Sequence, residues 1–388
     1  MKPPTSRPWI AAICLIFATV GCGAAPKAST AERQTVANSH AKLQAELQAI
    51  VDKYIDDPNS PAVSVRVESP AVGNVAAHQG LANLDEDTPL RDSDRFRIGS
   101  VTKTFVAVIM LQFAEEHLLS LDDPAAKYLP DEIVNRIANV DKVTIRQLLN
   151  HTSGIDDYYS TDEFTDAIGA HESEVWTPEE ALTYAYDLPA LFEVGERHSY
   201  SNTNYLLLQM IMEKVGKKPW GAQVKSRIAE PLGLKDTYVE HFETRKGGTV
   251  RSYEDKTEYW NDVTDIDDGT GLADGGVIST TADLATYVQA LISGDVLLSR
   301  QSRKQMQDWV DDGDDGLYGL GLMAIDYDDP EDGVMIGHDG KASGFGAEMW
   351  FNDNASQSTI IILFASEDLQ DDPGQDLFNA VDSWAGKQ

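Results

Sequence analysis

Apolar residues recur at helical spacing where the folded part of the chain begins, at Leu43, Leu47, Ile50, Val51 and Tyr54, with Pro58 just past the end. The period then changes. Ala62-Val63-Ser64-Val65-Arg66-Val67 alternates, Gly73-Asn74 reads as a turn, and Val75-Ala76-Ala77-His78 follows, which predicts a β-hairpin. From Val101 to Leu121 apolar side chains cover nearly every side of a predicted helix, the signature of a buried central element. Helical patterning and irregular loops fill most of 120–310, including predicted helices over Tyr205 to Val215 and Thr280 to Ile292. The second carries Thr280 and Asp283 as an N-cap arrangement and Gly294 as a stop. Strand patterning returns over Tyr318 to Ile325, Val334 to Ile336, Gly346 to Phe351 and Thr359 to Ala365. A last helix presents Leu377, Phe378, Val381 and Trp384 on one face. Strands at both chain ends with helices between them predict an α+β fold: one antiparallel sheet built from the two termini, flanked by helices as an α/β/α sandwich, with a helical subdomain inserted.

The first 22 residues stand outside that pattern. Lys2 and Arg7 precede an apolar stretch of 12, Trp9 to Val20, and small residues follow. Twelve residues fall short of the roughly 20 that a spanning helix needs, so 1–22 reads as a signal peptide and the protein as exported. Val20-Gly21-Cys22 resembles a bacterial lipoprotein box, with Thr19 where leucine is usual. The resemblance implies lipidation at Cys22 and a membrane contact through that anchor alone. Simple secretion with cleavage near Ala25 is the other reading. Residues 23–40 are small and polar, fit for a tether, and 41–388 form the expected catalytic domain. Cys14 and Cys22 are the only cysteines, so the domain has no disulfide, cysteine nucleophile or cysteine-bound zinc.

Charge narrows the partners. With 31 basic and 64 acidic residues the formal net charge is −33, and removal of Lys2 and Arg7 with the leader takes it to −35. Nucleic acid is an improbable partner for such a surface, and the expected one is a small-molecule or peptidyl substrate. The run Asp311-Asp312-Gly313-Asp314-Asp315-Gly316 invites a calcium loop, but Leu322 stands where the bidentate glutamate belongs, and no metal is expected.

Three short pieces carry the candidate chemistry: Ser100-Val101-Thr102-Lys103, Tyr200-Ser201-Asn202 and His338-Asp339-Gly340. Ser39-His40-Ala41-Lys42 is a second Ser-x-x-Lys, but it lies in the polar tether. Only Ser100 follows a strand-like Phe96-Arg97-Ile98-Gly99 and opens an apolar helix. On that helix Ser100 and Lys103 share a face near the positive end of the dipole. A hydroxyl needs a proton acceptor before it attacks, and the candidates are Lys103 as a free amine or a Tyr200 phenolate. A lysine half-neutral at pH 7 needs its pKa lowered by about 3 units, roughly 4–5 kcal/mol, from burial or a neighbouring cation. His151 and Ser153 look reactive but are expected to hold a loop through hydrogen bonds to backbone. No Gly-x-Ser-x-Gly occurs, which argues against an α/β-hydrolase.

The three pieces, in this order, resemble the motifs of the penicillin-recognising serine hydrolases, the family of class C β-lactamases and low-molecular-weight DD-carboxypeptidases. Leu148-Leu149-Asn150-His151-Thr152-Ser153-Gly154, Pro231-Leu232-Gly233-Leu234 and Gly275-Gly276-Val277 add to the likeness, which spans roughly residues 40–385. The resemblance implies a β-lactamase/transpeptidase-like fold and hydrolysis without metal or organic cofactor. It implies that Ser100 forms the acyl-enzyme, that Lys103 and Tyr200 move protons, and that Asn202 orients Lys103 and substrate. His338 would tune the charge of the site, and Gly340 completes the third motif. The N–H groups of Ser100 and Lys341 would form an oxyanion hole, worth about 3–4 kcal/mol per donor. Asp339 departs from the pattern, since members that bind a substrate carboxylate usually carry threonine there. Lys341 could offset it from the same side of a strand. The expected activity is therefore DD-carboxypeptidase-like or esterase-like. A class C-like β-lactamase and a non-hydrolytic penicillin-binding or sensory lipoprotein are the alternatives.

Overall fold

The alternating stretch near the start and the apolar stretch near the end lie side by side in one sheet. The computed structural model describes residues 30–55, 61–70, 73–170, 175–245, 247–255, 260–266, 269, 271–313, 316–326, 333–353, 357–365 and 373–386. The leader, Cys22 and the first part of the predicted tether lie outside these residues. Residues 40–388 form one compact unit. Helix α1 runs Thr30–Ile55, so helix is already present inside the stretch read as tether. Strands β1 (Ala62–Ser69), β2 (Gly73–Asn83), β3 (Thr88–Pro89) and β4 (Phe96–Arg97) follow, then a 3-10 turn (Gly99–Val101) and helix α2 (Thr102–Glu115). The middle of the chain holds the Asn202–Gly216 and Thr281–Ile292 helices and short strands β5 (Tyr238–Val239), β6 (Tyr253–Asp255), β7 (Trp260–Asp262) and β8 (Val277–Ser279). Strands β9 (Val310–Asp311), β10 (Leu317–Tyr318), β11 (Met323–Asp326), β12 (Val334–Ala342), β13 (Phe345–Asn352) and β14 (Thr359–Phe364) precede a final Pro373–Ala385 helix.

The main sheet is antiparallel in the order β3-β2-β1-β14-β13-β12-β11-β10-β9, so β1 and β14 join the chain ends at its centre. Every residue of β14 is buried because both faces are covered. Ile360, Ile362 and Phe364 pack with Val63, Val65 and Val67 of β1, Leu47 and Val51 of α1, and Phe378, Val381 and Trp384 of the last helix. Ile361 and Leu363 turn to the other face and join the larger core, with Phe105, Ile109 and Phe113 of α2. A strand buried on both faces reads as a continuous apolar run. Each such isoleucine contributes about 1.5–3 kcal/mol by leaving water. The α/β/α layering with helices inserted between the terminal strands matches the expectation.

Three details differ from the sequence reading. The strand expected over Tyr318 to Ile325 is two strands, β10 and β11, joined by a turn at Gly321 (φ +66°). That turn sits against α2, and a Cβ on Gly321 would lie 2.9 Å from the Lys103 carbonyl oxygen. The strand expected to stop at Ile336 continues to Ala342, because β13 pairs with it from Met335↔Asn352 through Ala342↔Phe345. The mostly helical middle also contains β5 and β8, which form a small sheet with β4 in the order β4-β8-β5, and the pair β6-β7. Strands of two or three residues are too short to show alternation. Thr280 caps its helix as expected, accepting from the Asp283 N–H. Among the described residues no helix is long and apolar enough to cross a membrane.

Candidate active site

The turn that carries Ser100 is pinned from three sides. Strand β4 pairs with β8, and the Ile98 N–H donates to the Val277 carbonyl at 3.1 Å. The Arg97 guanidinium grips Glu240 through two hydrogen bonds of 2.9 and 3.0 Å and also reaches the Thr264 carbonyl. Such a forked, charge-assisted pair fixes direction as well as position. On the third side lies β12. Gly99 (φ +48°) and Gly340 are the two residues that let the backbones touch: a Cβ on Gly99 would lie 2.3 Å from the Lys341 carbonyl oxygen, and one on Gly340 2.1 Å from that of Ile98 and 2.9 Å from the Ser100 nitrogen. Strand β11 pairs with β12 only as far as Gly337, so beyond it β12 is free to approach the Ser100 turn.

One helical turn on, Lys103 is fully buried. Its Nζ lies 2.9 Å from Ser100 Oγ, 2.8 Å from Asn202 Oδ1 and 2.8 Å from the Asp274 carbonyl oxygen. Burial drives its pKa down to about 8, against the opposing pull of Asp274, Asp157 and Asp339. Asn202 opens its helix and is clamped by Asp157, whose carboxylate accepts from the Asn202 backbone N–H and from Nδ2, both at 3.0 Å. That leaves one amide N–H of Asn202 for a substrate. Burial raises the Asp157 carboxyl despite these bonds. It also lifts Asp274 to about 6, against Lys103 and a 2.8 Å hydrogen bond from Tyr158 Oη.

Tyr200 lines the cleft beside Ser100, and its ring centroid is 4.8 Å from Lys103 Nζ. Burial pushes the phenol well above its ordinary value, so it stays protonated. The ring stacks on His151 at 4.3 Å. His151 Nδ1 accepts from the Ser201 N–H and from Asn204 Nδ2, both at 3.1 Å, which puts the imidazole proton on Nε2. Ser153 accepts from the Ile155 N–H and donates to Asn204. Both residues thus hold the loop beneath Tyr200, as the sequence suggested. His338 is fully buried; its Nδ1 donates to the Asp339 carbonyl at 2.6 Å and its Nε2 meets the Tyr318 hydroxyl at 2.9 Å.

The cleft over Ser100 has a volume of about 570 Å³, and its walls include Tyr200, Tyr318, Asp339, Gly340, Lys341 and Arg197. Asp339 and Lys341 share one side of β12. Burial works to raise the Asp339 carboxyl, but His338 and Lys341 outweigh it and hold it below its ordinary value.

A family model described as Beta-lactamase matches residues 47–382. The chain belongs to the Beta-lactamase family. Penicillin-binding protein 4* of Bacillus subtilis is 30% identical to this family member over 295 residues, 71% of this chain and 62% of the relative. Esterase EstB of Burkholderia gladioli is 31% identical over 214 residues, 50% of this chain and 51% of the relative. The matches thus span about half to two thirds of these relatives' length. A D-stereospecific amidohydrolase from Streptomyces sp. superposes with a TM-score of 0.74 at 28% identity, covering 88% of this chain and 98% of that one. A penicillin-binding protein from Bacillus halodurans has the same fold, with a TM-score of 0.75 at 24% identity over 87% and 99% of the two chains. The relatives of this family member thus include a penicillin-binding protein, an esterase and an amidohydrolase.

In this Beta-lactamase family member Ser100, Lys103, Tyr200, Asn202, Gly340 and Lys341 come together. His338 lies beside them, fully buried, with its Nε2 against the hydroxyl of Tyr318, a residue of the cleft wall. Asp157, Asp274 and Tyr318 were missed by sequence reasoning. Asp274 directly precedes the noted Gly275-Gly276, which was its one available signal. Asp157 was hidden among the many surface aspartates. Asp311 and Asp312 of the suspected calcium run accept backbone N–H groups of Gly313 and Gly316. Among the described residues no group of three or more His, Cys, Asp or Glu side chains has a metal-holding arrangement.

Proposed function

We propose that the protein hydrolyses esters or amides through a Ser100 acyl-enzyme, with Lys103 as the base. The observation that carries the reading is the set of three partners around Lys103 Nζ. A neutral amine has two N–H bonds and one lone pair. Given to Asn202 Oδ1 and the Asp274 carbonyl, the two hydrogens leave the lone pair for the Ser100 hydroxyl proton. The lowering from 10.5 to about 8 supplies most of what neutrality at pH 7 requires, about 3 kcal/mol. Tyr200 fits the opposite role: a phenol held protonated can pass a hydrogen to the leaving group and be refilled from Lys103. Ser100 Oγ attacks the carbonyl carbon, its proton goes to Lys103, and the oxyanion lies between the Ser100 and Lys341 N–H groups. Collapse expels the alcohol or amine with that proton, and water then cleaves the acyl-enzyme.

The pH dependence separates the two bases. With Lys103 as base, kcat/KM for a neutral p-nitrophenyl ester rises about tenfold per pH unit and levels off above about 8, where the amine is neutral. A rate still climbing through pH 10 would instead assign the role to the Tyr200 phenolate. Asp339 favours ester or amide hydrolysis over β-lactamase action, since its ionised carboxylate repels the carboxylate of a β-lactam.

Export and anchoring through Cys22 complete the proposal, on the strength of the leader and its lipoprotein box. Cells fed a palmitate analogue should yield labelled protein, and Cys22→Ala should remove the label. An unlabelled wild-type product would leave simple secretion.

A further inference from the structure

We infer that Asp274 is a positioning residue for the base: its backbone carbonyl holds Lys103 Nζ, and its buried carboxylate opposes the free amine at rest and stabilises the ammonium that forms as Ser100 attacks. The inference rests on the reading of Lys103 as the proton acceptor for Ser100. Its basis is a carboxylate that the mechanism leaves unused. Asp274 is 6% exposed, and its Oδ2 accepts a hydrogen bond from Tyr158 Oη at 2.8 Å. Its Oδ1 is buried and, among the described residues, finds no hydrogen-bond partner in another residue. A buried carboxylate oxygen left in that state is costly unless a cation lies near it. Lys103 supplies the cation. Its Nζ is 2.8 Å from the carbonyl oxygen of the same aspartate, and its charge is the strongest influence drawing the Asp274 carboxyl back down against burial.

The segment that carries Asp274 is tied to both helices of the site. The Ala273 N–H donates to Gln209 Oε1 in the Asn202–Gly216 helix, and the Val277 N–H donates to Thr102 Oγ1 in α2, both at 3.0 Å. The Gly275 and Gly276 N–H groups return to the Leu272 carbonyl. Two other carboxylates act on Lys103, each less than Asp274 does: Asp157, at the cap of the Tyr158–Ser160 turn, and Asp339 of β12. Asp157 is committed to Asn202, and Asp339 is held by His338 and Lys341. The Tyr200 and Tyr205 rings lie 4.8 and 5.4 Å from Nζ, and His151, kept neutral by burial, stacks on Tyr200. With a pKa of about 6, Asp274 is ionised through the range in which Lys103, at about 8, gives up its proton. A fixed negative charge makes the ammonium harder to deprotonate, and it makes the same amine a stronger base when the seryl proton arrives. Removing the charge should therefore free the amine at lower pH and slow each attack that the free amine assists.

The test compares the pH dependence of kcat/KM for p-nitrophenyl acetate in wild type, Asp274→Asn and Tyr158→Phe, with a fluorophosphonate probe reporting a competent Ser100 in each. Asparagine keeps the backbone carbonyl and an acceptor for Tyr158 but not the charge. Its rate should level off about one pH unit below the wild-type position, the lower end of what a neighbouring charge contributes. Its plateau should be about threefold lower, the fall for half-complete proton transfer. The two curves then cross, and the variant is the faster enzyme at pH 6.5 and the slower at pH 9. Loss of the Tyr158 hydroxyl favours the protonated carboxyl, so Tyr158→Phe should move the limb the same way by less. A limb that keeps its wild-type position in Asp274→Asn, with the rate lowered at every pH, or one that moves to higher pH, would overturn the inference and leave Lys103 as the base. Should Asp274→Asn fail to take the probe, Tyr158→Phe decides in its place, and an unmoved limb there overturns the inference. A wild-type rate still climbing through pH 10, or wild-type protein that neither cleaves the acetate nor takes the probe, would remove the underlying reading and the inference together.

Discussion

Alanine in place of Ser100 is expected to reduce ester hydrolysis by at least about 10⁴-fold and to leave the fold intact. Among the described residues Ser100 carries the hydroxyl that hydrogen-bonds Lys103. Lys103 Nζ is within hydrogen-bonding distance of Ser100 Oγ, and its remaining partners are an amide oxygen and a backbone carbonyl. The variant retains the Ser100 and Lys341 N–H groups and the walls of the cleft, so weak substrate binding should persist while turnover disappears. The turn is held by Arg97, by β8 and by contact with Gly340, none of which depends on the seryl oxygen. Steady-state kinetics with p-nitrophenyl acetate, alongside thermal unfolding, checks both parts. A variant that keeps a tenth of the wild-type rate would remove Ser100 from the mechanism.

Lys103→Met is expected to lower kcat/KM by roughly 10²–10⁴, the usual contribution of a positioned base, and to make the protein more stable at pH 7. Activity and stability separate because Lys103 is fully buried and its pKa falls to about 8 from 10.5 in the unfolded chain. Below pH 8 the amine is protonated in both states, and the native state bears the cost of holding that charge out of water, about 3 kcal/mol. Between pH 8 and 10.5 the native state releases its proton before the unfolded chain does, so wild-type stability rises with pH. Above 10.5 the cost has gone. Methionine has the length and flexibility to fill the space without charge. Part of the gain is offset, because Asn202 Oδ1 and the Asp274 carbonyl lose their donor. The variant should therefore unfold at a higher temperature than wild type at pH 7, by an amount that shrinks as the pH approaches 10. A variant less stable at pH 7, with the deficit unchanged at pH 10, would contradict the burial account.

The residues that announced themselves in the sequence are those whose chemistry or periodicity is local. Ser100 and Lys103 are three apart on one helix face, and the strand before them and apolar helix after them set them apart from Ser39 and Lys42. The β1 hairpin and apolar β14 showed their period over five or more residues, which sufficed to place the sheet. Other features depend on contacts between distant segments. His338-Asp339-Gly340 reads as a turn in isolation, and only pairing with β13 makes it strand. Asp157 is 45 residues from Asn202 and resembles its neighbours in an acidic chain until the fold brings the two together. Tyr318 meets His338 across 20 residues of chain, a contact that only the fold creates. The departure at Asp339 was visible from the start, but its meaning required a cleft with a known set of charges.

A Ser100 nucleophile becomes acylated during turnover. Protein quenched in acid within milliseconds of mixing with p-nitrophenyl acetate should carry one added acetyl group by intact mass. Peptide mapping should place it on Ser100, and it should be absent from Ser100→Ala. Brisk hydrolysis with no acylated protein in either the intact or the mapped spectra, or an acetyl group that builds up on a different residue at the rate of turnover, would contradict the account.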